Sequence, residues 1–128
     1  MDRNRFRTAV EKHDLDGMLA VFSKDAVLHS PITFQPFEGR EAIARLFGIL
    51  LEVLEDFHYT DQLEAADGTL GLVFRARIGD RKAQGLDLIR FDEEGRIQDF
   101  TVMVRPRSAS EALLAAVAPR LAAAIKAS

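Results

Sequence analysis

Residues 70–105 read LGLVFRARIGDRKAQGLDLIRFDEEGRIQDFTVMVR, and the alternation in this stretch decides the fold. Leu70, Leu72, Phe74, Ala76 and Ile78 fall on one side of an extended chain, with Gly71, Val73, Arg75 and Arg77 on the other. Near the end of the stretch Phe100, Val102 and Val104 make an apolar face opposite Asp99, Thr101, Met103 and Arg105. Turn signals stand at Asp67-Gly68, Gly79-Asp80 and around Glu94-Gly95, so four strands fit between and beside them. The connections are too short for parallel crossovers, which need a dozen or more residues, so the strands form an antiparallel meander.

Upstream of the meander the period changes to that of a helix. Ile43, Leu46, Phe47, Leu50, Leu51 and Leu54 recur at steps of three and four, which predicts a long amphipathic helix from Arg40. Before it, Pro31 stops a strand over 26–30, and a loop carries Phe34, Pro36, Phe37 and Gly39. Two short helices open the chain. The first carries Phe6, Ala9, Val10 and His13, and Asp14 caps a second with an inner stripe of Leu15, Met18, Leu19 and Phe22. Downstream, Ser108-Ala-Ser-Glu111 reads as a capping box ahead of Leu113, Leu114, Val117, Leu121 and Ile125, with Pro119 expected to kink that helix.

Composition bounds the function. The 128 residues fit one domain, 1–128, with 48% hydrophobic and 29% charged residues, as in a globular protein. A net charge of −3 offers no positive field for phosphate backbones or anionic lipid, so neither nucleic acid nor a membrane is an expected partner. The absence of cysteine removes disulfides, thiolate metal sites and cysteine nucleophiles, and leaves the cytoplasm as the expected location. The three histidines, His13, His29 and His58, show no ligand spacing, so no metal and no other cofactor is implied. No stretch reads as long enough to span a bilayer, and the first residues do not read as a secretion signal.

One strand carries a charge on each face. Between Leu86 and Phe91, Asp87 lies beside Ile89 and Phe91, while Leu86, Leu88 and Arg90 lie opposite. Pattern alone does not choose which face is buried, and aspartate usually faces water.

The chain resembles the nuclear transport factor 2-like superfamily, and within it the ketosteroid isomerase and polyketide-cyclase-like (SnoaL-like) branch. The resemblance rests on Asp14-Leu15-Asp16, on Ala26-Val27-Leu28-His29-Ser30-Pro31, on Phe37-Glu38-Gly39-Arg40-Glu41-Ala42-Ile43, and on the run from Asp87-Leu88-Ile89-Arg90-Phe91 to Gly95-Arg96-Ile97. It implies an α+β fold in which a curved antiparallel sheet wraps a long helix as a cone, with an N-terminal helix pair, a C-terminal helix and an apolar pocket. In ketosteroid isomerases an aspartate before the proline is the general base; here Ser30 stands there, and a hydroxyl needs its own activating base. A tyrosine that holds the oxyanion is replaced by Phe6, which has no donor. The oxyanion-binding aspartic acid of that family falls on Asp87, and the same match puts Leu72, Phe74, Ile89, Phe100, Val102 and Val104 on the pocket wall with Phe6. Ketosteroid isomerisation itself is therefore not expected.

Asp87 is the first candidate catalytic residue, with Ser30 or Tyr59 as a second polar group. Burial among Phe, Leu and Val would raise the pKa of Asp87 and make it a neutral donor to a carbonyl or hydroxyl. Alternation turns His29 to the outer surface, His13 reads as the finish of a helix, and His58 as solvated. An arginine–aspartate pair two residues apart, as in an epoxide-hydrolase-like branch, is not met, because Arg75 is followed by Arg77. Two functions follow: an acid/base enzyme of isomerase, cyclase or lyase type acting on a small apolar molecule, or a non-catalytic binding or scaffold module. Val73, Leu86, Leu88, Thr101 and Met103 would make the convex sheet face of a homodimer.

Overall fold

The computed structural model describes residues 2–127. The elements are α1 (Arg5–Glu11), α2 (Leu15–Ala20), β1 (Phe22–His29), β2 (Phe37–Glu38), α3 (Arg40–Val53), β3 (Glu55–Glu64), β4 (Leu70–Ile78), β5 (Arg81–Phe91), β6 (Ile97–Arg105) and α4 (Arg107–Ala127). The six strands form one curved sheet in the order β2-β1-β6-β5-β4-β3. β3 to β6 are the expected antiparallel meander. β1 joins β6 in parallel, the one parallel pair among the described residues, with a register shift between Phe22 and Val27.

Alternation sorts β4 and β5 onto two faces. Leu70, Leu72, Phe74, Ala76 and Ile78 are buried on β4, and Ala83, Gly85, Asp87 and Ile89 on β5. The concave face thus receives Asp87. Gly85 is required there: a Cβ at that position would lie 2.0 Å from Cζ of Phe74, whose ring covers it across the β4–β5 pair.

α3 lies over this face with Ile43, Leu46, Phe47, Ile49 and Val53 buried. Phe6, Phe22, Phe47 and Phe100 meet with ring centroids 5.1 to 5.9 Å apart, mostly edge to face. Each such contact adds about 0.5–1.5 kcal/mol beyond area burial. The cluster ties α1, β1, α3 and β6 together.

Some boundaries differ from the sequence reading. Phe22 belongs to β1 and not to the second helix, because α2 ends at Ala20 and β1 starts four residues earlier than position 26. The residue meets the core from the sheet side, where it is fully buried. Asp14 does cap α2, accepting from the Gly17 amide at 3.0 Å. The capping box is absent: Ser108 is already inside α4, and the carbonyl of Pro106 accepts from Ala109 and Ser110 instead. α4 runs on through Pro119.

The expectation of no membrane-length segment is also corrected. By length and composition alone, Arg107–Lys126 of α4 could cross a bilayer, with a mean hydropathy of 1.3. α4 lays Ala109, Leu113 and Val117 on the protein body and leaves Leu114 exposed.

Candidate functional site

A cavity of about 110 Å³ opens between α1, α2, α3 and the concave sheet. Phe6, Val10, Met18, Phe47, Leu50, Leu51, Leu54, Phe57, Phe74, Phe100 and Val102 give it an apolar wall. Four titratable side chains also line it: Asp87, Tyr59, Glu11 and His13.

Asp87 is only 5% exposed, on the middle of β5 between Leu72 of β4 and Val102 of β6. No hydrogen bond or ion pair reaches its carboxyl from the described residues. Burial alone acts on it and pushes its pKa up to about 8. At neutral pH the group is therefore mostly a neutral acid, able to donate a hydrogen bond.

Tyr59 comes from the edge strand β3, where its ring turns inward among exposed neighbours. Phe57 meets it edge on at 5.1 Å, and the Arg7 guanidinium lies 5.2 Å from its centroid. The hydroxyl is buried without a partner. Burial, then the charges of Asp87 and Glu11, raise its pKa well above the ordinary phenol value, against a smaller opposing effect of Arg7. Tyr59 is thus a second protonated donor, with no acceptor among the described residues.

Glu11 and His13 are exposed and mark the mouth. Glu11 is engaged by Arg7 Nε at 3.4 Å, and Arg7 also donates to Gln62 at 3.0 Å. His13 follows α1 with φ 53°, a left-handed conformation that turns the chain sharply before α2.

The expected site residues separate into groups. Phe6, Phe74, Phe100 and Val102 line the same cavity as Asp87. Leu72 and Ile89 are fully buried and line neither this cavity nor its neighbour. Ser30 and Val104 line a second, smaller cavity of about 40 Å³ that reaches Leu113 and Val117 of α4. Phe47, Leu50, Leu54, Phe74 and Val102 stand between the two and line both. Ser30 is therefore not brought together with Asp87; its hydroxyl accepts from the Ile32 amide at 3.4 Å.

Other polar candidates lie elsewhere. His29 lines neither cavity and pairs with Asp99 at 3.1 Å, both side chains more than a third exposed. Arg75 is exposed, and Arg77 pairs with Glu55 and Asp56 at the end of the sheet. His58 is exposed. No group of three or more His, Asp or Glu able to hold a metal ion occurs among the described residues. Glu11 and His13 are the titratable cavity residues that the sequence reading left out of the pocket, and Val10, Met18, Phe47, Leu50, Leu51, Leu54 and Phe57 the apolar ones.

A family model described as a SnoaL-like domain matches residues 4–100. Among solved structures, a protein named a steroid delta-isomerase from Pseudomonas aeruginosa is 40% identical with a TM-score of 0.88, over 94% of this chain and 89% of that one. An uncharacterized protein with a cystatin-like fold from Silicibacter pomeroyi is 30% identical with a TM-score of 0.85, over 91% of this chain and 82% of that one. At 19% identity the epoxide hydrolase/cyclase-like enzyme SalBIII, named for pyran ring formation in the polyether salinomycin, shares the fold with a TM-score of 0.67, over 83% and 88%. A comparison with curated proteins finds no match.

Proposed function

Because the chain belongs to the SnoaL-like domain family of the nuclear transport factor 2-like superfamily, we propose that it binds a ring-sized apolar molecule bearing one carbonyl or hydroxyl, and moves a proton on it. One observation carries this reading. Two protonated oxygen groups, those of Asp87 and Tyr59, belong to residues that line one largely apolar cavity, and neither has a hydrogen-bond partner among the described residues. Buried polar groups are rarely left unpaired, and an unmade hydrogen bond there costs about 1–3 kcal/mol. A ligand oxygen that accepts from both relieves that cost, and the apolar remainder fills the wall.

Two donors on a carbonyl oxygen also acidify the neighbouring C–H bonds, because negative charge that develops on the oxygen is stabilised in place. That is the chemistry of double-bond isomerisation, which the likeness to a protein named a steroid delta-isomerase supports. Ser30 supplies no base to it, being in the other cavity. An apolar cavity of about 150 Å³ holds benzene, and the space beside Asp87 is about 110 Å³, so a ring bound there must reach into the open mouth.

Titration with cyclohexanone and with benzene, followed by protein amide shifts in NMR, tests the binding. We expect the ketone to bind at least about 10-fold tighter, the worth of roughly one hydrogen bond to a buried site. Asp87→Leu should lower that preference by about 10-fold, with the Tyr59 hydroxyl still donating. Equal affinity for benzene in the unaltered protein would end this reading.

We also propose a homodimer through the convex sheet face, in the cytoplasm, a compartment that suits a chain without cysteine. Val73, Leu86, Leu88 and Thr101 are half-buried there and Met103 is 50% exposed, a mixed apolar patch on the central strands. Sedimentation equilibrium should give twice 14.3 kDa, and Leu88→Lys should return the monomer mass. A monomer at all concentrations for the unaltered chain removes the dimer and leaves the cavity chemistry untouched.

A further inference from the structure

We propose that His13 is the proton acceptor of this cavity, so that the base is supplied by the α1–α2 turn and not by the strand that carries Ser30. The inference rests on the binding reading above and adds a named group to it. Among the four titratable residues on the wall, Asp87 and Tyr59 hold their protons and act as donors. Glu11 is shared with Arg7, whose Nε meets one of its oxygens at 3.4 Å. His13 is left, and no hydrogen bond or ion pair from the described residues occupies its ring. A neutral imidazole carries one free lone pair, which makes it an acceptor.

The turn holds the residue firmly. The amides of Lys12, His13 and Asp14 donate back to the carbonyls of Thr8, Val10 and Ala9 at 3.1, 3.0 and 2.9 Å. Asp14 then caps α2 through the Gly17 amide. Every backbone donor in the turn is spent, so the left-handed conformation of His13 is fixed from both sides. Histidine, with asparagine and aspartate, is among the side chains that tolerate this conformation.

The step balances without a further reactant. With the carbonyl oxygen on Asp87 and Tyr59, the imidazole of His13 takes a proton from the carbon next to the carbonyl. The C–H pair becomes the carbon–carbon double bond of an enolate, whose charge rests on the held oxygen. The imidazolium then returns the proton, to the same carbon or, where the substrate has a β,γ double bond, to the γ-carbon. The first outcome is isotope exchange and the second is isomerisation.

Deuterium uptake by cyclohexanone in D₂O, with binding measured in the same samples by NMR, is the test. His13→Asn keeps a side chain suited to the left-handed turn and removes the base. We expect exchange to fall by at least about 100-fold, in the range of a positioned general base, with cyclohexanone affinity unchanged within about 2-fold. Exchange at the original rate in His13→Asn overturns the proposal, as does a loss confined to Glu11→Gln. Binding without exchange in the unaltered protein also overturns it and leaves the binding reading in place. Failure of cyclohexanone to bind at all removes that reading, and the role of His13 with it.

Discussion

Asp87→Asn will be about as stable as the unaltered protein near pH 4 and more stable, on the order of 5 kcal/mol, at pH 9. The ordinary carboxyl value is 3.8, and burial raises that of Asp87 to about 8 in the fold. Below pH 4 the carboxyl is protonated in both folded and unfolded chains, so it contributes no difference. Between about pH 4 and pH 8 the unfolded chain releases the proton while the fold retains it. The unfolded state then binds fewer protons, and stability falls as pH rises. Above pH 8 both states are ionised, and the accumulated loss stays constant. A shift of about four units at about 1.4 kcal/mol each gives the magnitude stated. Asparagine has nearly the same shape and no titration, so the difference between the two proteins isolates Asp87 from every other group. Urea unfolding at intervals from pH 4 to pH 9 makes the measurement. Parallel stability curves for the two proteins would mean that position 87 holds no proton through neutrality. The same titration also sets the working range: above pH 8 the carboxylate loses its donor, and ketone binding should weaken.

The parts of the fold with a strong local period were legible before the structure. α3 announces itself because Ile43, Leu46 and Phe47 must share one face of a helix, and β4 because alternation leaves Leu70, Leu72, Phe74, Ala76 and Ile78 together. The parallel pairing of β1 with β6 has no such signal, since it joins Val27 to Asp99 across most of the chain. The same holds for the site. Asp87 sits on a strand with a charge on each face, so its inward direction came from the family resemblance and not from pattern. Tyr59 lies in an edge strand where only one residue of ten is buried, and alternation is nearly silent there. His13 reads as the last residue of a helix; only the left-handed turn after Glu11 carries it to the cavity mouth. Ser30 shows the reverse case. Resemblance brings it towards Asp87, but Leu50, Phe74 and Val102 stand between their two cavities.

Tyr59→Phe should stabilise the protein and weaken it as a receptor at once. The hydroxyl is buried with no partner, so the folded state bears the desolvation of that group without a compensating bond. Phenylalanine keeps the ring, its contact with Phe57 and the Arg7 guanidinium at its face. Removing the oxygen should therefore raise the unfolding free energy by about 1–3 kcal/mol, which for a domain of this size raises Tm by at least about 3 °C. The same oxygen is one of the two donors offered to a ligand. Its loss should weaken cyclohexanone binding by about 10-fold while benzene binding holds or improves. Opposite signs for stability and affinity distinguish a donor kept for a ligand from a structural hydroxyl. A structural hydroxyl would lose both together, as it would if a bound water tied it to the protein. Thermal unfolding and the two titrations on one preparation decide the matter. A drop in Tm for Tyr59→Phe would show that the hydroxyl is already satisfied within the fold, and would leave Asp87 as the sole donor to the ligand.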